Sequence, residues 1–245
     1  MQSYRGPQDL NPAACFIGVA LQRLLVWRFR DGSQALDLLY AQGDRFYAAM
    51  RYTAQFLLSA LSAAQFPAPG APEVAFLGRS NVGKSSLLNA LVGDKAAKVS
   101  STPGRTRAIN FFALVDQRQQ RRLLFADLPG YGYAKISKSI SAGWPAFIEP
   151  YLAERPTLGL CICLVDSNIP PQQSDRQLID WLRAANRGFA VVATKVDRLS
   201  GNARTRNLAA IQKNLELDEI LAVSAKTKMG ISALWARIDS LSTAA

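Results

Sequence analysis

The chain has 245 residues, 49% hydrophobic and 19% charged, enough for a full α/β domain with segments to spare. Lys and Arg number 29 against 18 Asp and Glu, a net +11, which favours a polyanionic partner, either nucleic acid or an anionic membrane. There is no histidine, which excludes a histidine base, and the three cysteines, Cys15, Cys161 and Cys163, form neither a disulfide framework nor a zinc-like cluster.

Residues 1–49 read as a poorly defined N-terminal extension. The stretch 15–29 is apolar but broken by Gln22, Arg23 and Arg28, and is too short to span a bilayer. It lacks the basic start and small-residue cleavage site of a signal peptide. Three readings stay open for it: an amphipathic helix on a membrane, a weakly ordered extension, or sequence upstream of a true start at Met50. Residues 50–72 read as a lead-in helix, over 56–61, followed by a Pro/Gly linker at 67–72. Residues 73–245 read as the main domain.

Within that domain strands and helices alternate. Residues 74–77 are a buried strand and 86–91 a helix. Residues 95–107 have little apolar periodicity and contain Pro103-Gly104, so a mobile loop is expected. Two apolar runs, 108–115 and 122–126, flank the polar turn 116–121 and predict an antiparallel hairpin. Helical patterning follows at 141–154, and 158–165 is near-continuously apolar, as in a parallel strand. Cys161 and Cys163 alternate within that strand as reduced core residues, which fits a cytoplasmic protein. The spacing of Leu178, Ile179 and Leu182 predicts a helix over 172–187, ended by Gly188. A strand at 189–193, a helix at 202–217 and a strand at 220–223 come next. Ile231, Leu234, Trp235 and Ile238 repeat at helical spacing in a last helix. The order β-α-β-β-α-β-α-β-α-β implies a mostly parallel, six-stranded α/β sheet with helices on both faces, its ligand at the carboxyl ends of the strands.

The chemistry is concentrated in short stretches that each follow a strand. Gly78-Arg79-Ser80-Asn81-Val82-Gly83-Lys84-Ser85 has the form G-x-x-x-x-G-K-S, a phosphate-binding P-loop between strand and helix. Its glycines let the backbone approach an anion, and its N–H groups supply fixed positive potential. Lys84 would reach β- and γ-phosphates, and the Ser85 hydroxyl would hold Mg²⁺. Asp127-Leu128-Pro129-Gly130 closes the second hairpin strand. A carboxylate there can hold Mg²⁺ through water, and the Gly130 N–H can meet a γ-phosphate. Thr194-Lys195-Val196-Asp197 follows the 189–193 strand. A carboxylate at Asp197 can accept from the ring N–H and the exocyclic amine of guanine, a donor pair adenine lacks. A small-molecule kinase would use the same P-loop, but Asp197 argues against one. Val223-Ser224-Ala225 follows the last strand, where a backbone N–H can meet the guanine oxygen. In the loop before the hairpin, Thr102 and Thr106 are both candidates for a second Mg²⁺ hydroxyl.

Taken together, G-R-S-N-V-G-K-S, T-P-G-R-T at 102–106, N-F-F at 110–112 and D-L-P-G-Y-G-Y at 127–133 resemble the EngB GTPases, within the TrmE-Era-EngA-EngB-septin class. The resemblance runs from about residue 56 to the C-terminus, and D-L-P-G-Y-G-Y is its most specific part. It implies a Ras-like P-loop GTPase that hydrolyses GTP to GDP, acts in assembly of the large ribosomal subunit, and is associated with normal septation. A GTP-dependent septation or membrane-associated scaffold is the alternative. It also implies that Gly78 to Ser85 bind phosphate, and that Gly104, Arg105, Thr106, Arg107 and Ala108 contact nucleotide. Ser85 and Thr106 would ligate Mg²⁺, which favours Thr106 over Thr102. Asn81, Lys84, Thr106 and Gly130 would take part in hydrolysis, Asn81 by helping to bind K⁺ beside the phosphates. Where a Ras-type enzyme has a water-orienting Gln after D-x-x-G, this chain has Tyr131, so slow intrinsic turnover is expected.

Residues 1–49 hold five Lys/Arg and four Asp/Glu, so the remainder carries 24 basic against 14 acidic residues, +10. Arg118, Arg121 and Arg122 on the hairpin, Lys135 and Lys138 after it, and Arg204, Arg206 and Lys213 on a helix are the candidate contacts to rRNA of a large subunit or its precursor. No stable membrane insertion is expected, and a monomer is favoured.

Overall fold

Strand β2, Glu73–Gly78, lies at the middle of a sheet ordered β1-β3-β4-β2-β5-β6-β7. The computed structural model of the chain describes residues 52–92, 108–131 and 145–241. The other strands are β1 (Thr53–Ala60), β3 (Ile109–Val115), β4 (Arg121–Asp127), β5 (Leu158–Asp166), β6 (Phe189–Thr194) and β7 (Leu221–Ala222). The helices are α1 (Lys84–Val92), α2 (Ile148–Glu154), α3 (Gln173–Ala184), α4 (Gly201–Asn214) and α5 (Ile231–Asp239). β4, β2, β5, β6 and β7 run parallel, while β3 is antiparallel to both β1 and β4.

Alternation along β2 divides the core. Val74 and Phe76 face the layer of α1 and α5, packing with Leu87, Leu91, Leu234 and Trp235. Ala75 and Leu77 face the layer of α2, α3 and α4, packing with Tyr151, Leu178, Ile179 and Ile211. Helices therefore cover both faces, as the strand–helix alternation predicts. Cys161 and Cys163 lie in the second layer, and burial pushes the Cys161 thiol up to about 12 and Cys163 well above its usual value.

Of the helix expected at 141–154, residues 141–144 lie outside the described residues and α2 begins only at Ile148. Two further expectations are corrected. The sheet has seven strands rather than six, because residues 56–61, expected as a lead-in helix, belong mostly to β1. β1 pairs with β3 from Thr53↔Val115 to Ala60↔Ile109, with a register shift between Phe56 and Leu58. A short apolar run reads equally as helix or strand; here the ladder offered by β3 decides. The ring of Phe56 also packs edge-on against Phe112, centroids 5.7 Å apart. The second correction is the end of α3. It stops at Ala184, and Asn186 (φ 51°) makes the left-handed turn, with the Arg187 N–H donating to the Leu182 carbonyl at 2.9 Å. Gly188 instead lets the chain pass β5, where a Cβ would stand 3.1 Å from the Gly159 carbonyl oxygen.

The end of the sheet remote from the P-loop is closed by a buried ion pair. Glu73, fully buried at the start of β2, accepts from Arg155 Nε and the Tyr151 hydroxyl, both at 2.8 Å, and from Thr157. All of these partners together satisfy a charge that would otherwise be costly to bury.

Candidate functional site

At the carboxyl ends of β2, β4, β6 and β7 the four sequence stretches come together. The P-loop leaves β2 at Gly78. A Cβ there would stand 2.7 Å from Val82 and 3.1 Å from Leu164, so the loop closes on itself only around glycine. Asn81 (φ 63°) and Gly83 (φ 107°) take left-handed conformations that turn the chain into α1. Lys84 and Ser85 open that helix, and Ser85 is exposed.

Asp127 is the last residue of β4, and its carboxylate is paired with the Lys84 ammonium. The two charged groups that a Mg²⁺-bound triphosphate would engage thus face each other directly. A hydroxyl at Ser85 in the first turn of α1 and the one carboxylate of Asp127, held by the neighbouring Lys84, suit Mg²⁺, an ion that takes few protein ligands and keeps phosphate and water in its shell. Among the described residues no cluster of three or more His, Cys, Asp or Glu could hold a metal alone.

Leu128, Pro129 and Gly130 run alongside the P-loop. The Leu128 N–H donates to Phe76 O (3.2 Å), the Tyr131 N–H to Gly78 O (3.3 Å), and the Ser80 N–H to Tyr131 O (3.2 Å). Tyr131 itself is buried, and its hydroxyl donates to Asp175 on α3 at 3.0 Å. Burial and the neighbouring Asp175 carboxylate raise the Tyr131 pKa well above its usual value, so it stays protonated. A side chain held this way is committed to Asp175, beyond merely lacking a carboxamide.

The base-side elements meet the P-loop from β6 and β7. The Thr194 hydroxyl donates to Val82 O at 2.6 Å and lies 3.1 Å from Val165 O, tying loop to sheet. Lys195, with φ 59°, sends its ammonium to Asn81 O (2.7 Å) and to Asp166 (2.8 Å). Burial works against the charged form of Asp166. The hydrogen bonds from Lys195 and Asn168 outweigh it, holding the carboxyl below its ordinary value. Val196 is fully buried, whereas Asp197 is exposed and accepts from the Ser224 hydroxyl at 2.7 Å. Ser224 is itself buried, its oxygen accepting the Thr227 N–H at 3.1 Å. Val223 donates its N–H to Ala193 O at 2.8 Å, and Ala225 follows at the rim. Between these elements lies a cavity of ≈ 340 Å³ lined by Gly83, Leu87, Thr194, Lys195, Asp197, Val223 and Ala225, room for a purine base. A larger cavity of ≈ 770 Å³ adjoins the start of β6 and contains none of these residues.

Of the switch-loop residues, Gly104, Arg105, Thr106 and Arg107, with Thr102, lie outside the described residues, as do Lys135 and Lys138. Ala108 is described and buried just before β3. Sequence reasoning missed Asp175 and the inward orientation of Tyr131. The only local signal for Asp175 was its place in the first turn of α3, where its carboxylate accepts the Gln172 N–H at 2.8 Å.

A P-loop, a strand-end Asp with a following glycine, and a carboxylate facing a purine-sized cavity, on this sheet, define a GTPase of the Ras-like fold. A family model described as "50S ribosome-binding GTPase" matches residues 73–195. A protein of Acidobacterium capsulatum described as "Probable GTP-binding protein EngB" is 62% identical over 198 residues, 80% of this chain and 94% of that protein. A protein of the same description from Koribacter versatilis is 55% identical over 190 residues, 77% of this chain and 94% of that protein. The chain belongs to the EngB family of GTP-binding proteins. Among solved structures, a crystal structure titled as a probable GTP-binding protein engB matches with TM-score 0.53 at 20% identity, covering 71% of this chain and all of that one. Era, solved with MgGDPNP and a 16S ribosomal RNA fragment, matches with TM-score 0.54 at 24% identity, over 69% of this chain and 55% of that one. At those identities both speak for the fold.

Proposed function

We propose that this GTPase is a GTP-operated switch that assists assembly of the large ribosomal subunit, with Mg²⁺ as the ion of its site. The observation that carries this reading is the match of residues 73–195, from β2 to Lys195, to a family described as ribosome-binding. The charge agrees with an RNA partner. Arg118, Arg121 and Arg122 are exposed on the β3–β4 hairpin, and Arg206 and Lys213 are exposed on α4. Cations of this kind attract a phosphate backbone without reading sequence, in a salt-dependent way.

Water attacks the γ-phosphate, and the charge that develops is met by Lys84 and the P-loop N–H groups, with the Gly130 N–H as the γ-phosphate contact. Ser85 and Thr106 would hold Mg²⁺, with Asp127 acting through water, and the ion would supply Lewis-acid stabilisation of the phosphates. Asn81 would help to hold K⁺ where a further positive charge is needed. Turnover by the protein alone is slow, since Tyr131 is committed to Asp175 and offers nothing to the attacking water. The protein therefore works as a switch more than as a fast catalyst, in the cytoplasm where ribosomes assemble. Among the described residues no helix is long and apolar enough to cross a membrane. A septation defect on loss of the protein follows from failed subunit supply.

Depletion in the native host tests this reading. Particles lighter than the mature large subunit should accumulate on a sucrose gradient before division fails. A normal ribosome profile in cells that have already stopped dividing would sink it.

A further inference from the structure

Asp175 is a buried charged group that the nucleotide chemistry leaves unused. Asp175, 1% exposed at the start of α3, takes the Tyr131 hydroxyl at 3.0 Å and the Arg79 Nε at 3.1 Å. Arg79 is a P-loop residue, and Tyr131 directly follows Gly130. One carboxylate therefore ties the start of the phosphate cradle to the end of the segment that would sense the γ-phosphate. The backbone repeats the connection, since Arg79 and Tyr131 form a parallel bridge. Gly130 is pressed against the loop so closely that a Cβ would stand 3.0 Å from the Ser80 nitrogen.

We propose that Tyr131, Asp175 and Arg79 are positioning residues for the GTPase cycle: they hold Gly130 against the phosphate cradle before nucleotide arrives, and so set how strongly the protein favours GTP over GDP. The physical reason is preorganisation. The γ-phosphate contact assigned to the Gly130 N–H is available with GTP and absent with GDP. If Tyr131 were not anchored, GTP binding would have to order Pro129, Gly130 and Tyr131 each time, and GDP binding would not. The anchor is well made for this. A hydrogen bond to a buried carboxylate is among the stronger neutral-to-charged contacts, and Asp175 also caps its own helix, so its place is fixed independently of the nucleotide. α3 is thereby in direct contact with the sensing segment.

The inference concerns nucleotide discrimination and stands independently of the ribosomal partner. The test is Tyr131→Phe, which removes one oxygen and keeps the ring in the core. Equilibrium affinity is measured for a non-hydrolysable GTP analogue and for GDP on the same preparation, by titration with fluorescent nucleotide. The expected result is about tenfold weaker binding of the analogue, with GDP affinity within about twofold of the parent. Asp175→Asn keeps an acceptor for Tyr131 but loses the charge that holds Arg79, and should shift the ratio in the same direction by a smaller factor; it is read alone should Tyr131→Phe fail to fold. A merely structural role would lower the melting temperature, or weaken both nucleotides alike. An analogue-to-GDP ratio within about twofold of the parent overturns the proposal, whatever the melting temperature does.

Discussion

The hydroxyl of Ser224, buried after β7, donates to the carboxylate of Asp197 at 2.7 Å. One oxygen of the group that faces the base cavity is thus fixed by a residue from a different strand end. Both carboxylate oxygens of Asp197 would be needed to meet the two donors of guanine, and the Ser224 hydrogen bond fixes their orientation.

The first prediction follows from that contact. Asp197→Asn replaces one acceptor oxygen by an amide NH₂ donor where guanine also presents donors. GDP affinity should fall by about 100-fold or more, while xanthosine diphosphate, whose ring offers an oxygen there, should gain. Ser224→Ala leaves the carboxylate free to turn and should cost about tenfold, with no gain for the xanthine nucleotide. Competition titrations with both diphosphates measure each.

The Lys84–Asp127 pair sets a second expectation. Lys84→Ala removes the cation from the cradle and leaves Asp127 facing the phosphates alone, so GTP binding and hydrolysis should both fall by about 100-fold or more. Asp127→Asn should leave binding measurable at saturating Mg²⁺ but raise the Mg²⁺ concentration needed for half-maximal turnover by about tenfold, as expected for a group acting on the ion through water. A Mg²⁺ titration of GTPase rate separates the two.

The K⁺ role proposed for Asn81, an exposed residue of the P-loop, sets an ion requirement that can be tested. GTP turnover measured in K⁺ should exceed turnover in Na⁺ at equal ionic strength. Asn81→Ala should remove the difference. Equal rates in the two parental buffers would remove K⁺ from the account.

Asp166 provides a pH prediction. Its folded-state value lies below the ordinary 3.8, so the folded state binds fewer protons than the unfolded chain as acid is added. Its stabilising contribution is complete above the unfolded value and is lost as pH falls through the folded one. Asp166→Asn should therefore melt at a lower temperature near neutrality and lose less further stability than the parent between about pH 4 and pH 3. Thermal melts across that range give the slope. An acid limb as steep as the parent's would show that Asp166 does not carry it.

Much of this site is legible from sequence because its chemistry is contiguous. Gly78 to Ser85, Asp127 to Gly130 and Thr194 to Asp197 each need residues of one kind at short spacing, and each follows an apolar run that sets it on a strand end. What was not legible depends on contacts across the chain. β1 became a strand because β3, some fifty residues later, offered it a ladder. The fate of Tyr131 was decided by Asp175, 44 residues away, whose burial no local pattern announces. Gly188 looked like the natural cap of α3, yet Asn186 tolerates the left-handed turn and comes first. Local chemistry names the groups that would meet a nucleotide; packing decides which neighbours hold them still.

The central claim, a GTP-gated association with the large ribosomal subunit, is tested most directly by co-sedimentation with large subunits at moderate salt. The protein is compared with a non-hydrolysable GTP analogue, with GDP and without nucleotide. Binding confined to the analogue is the predicted result. Binding in all three states that fades as salt rises would contradict it, reducing the attraction to the +11 charge of the chain.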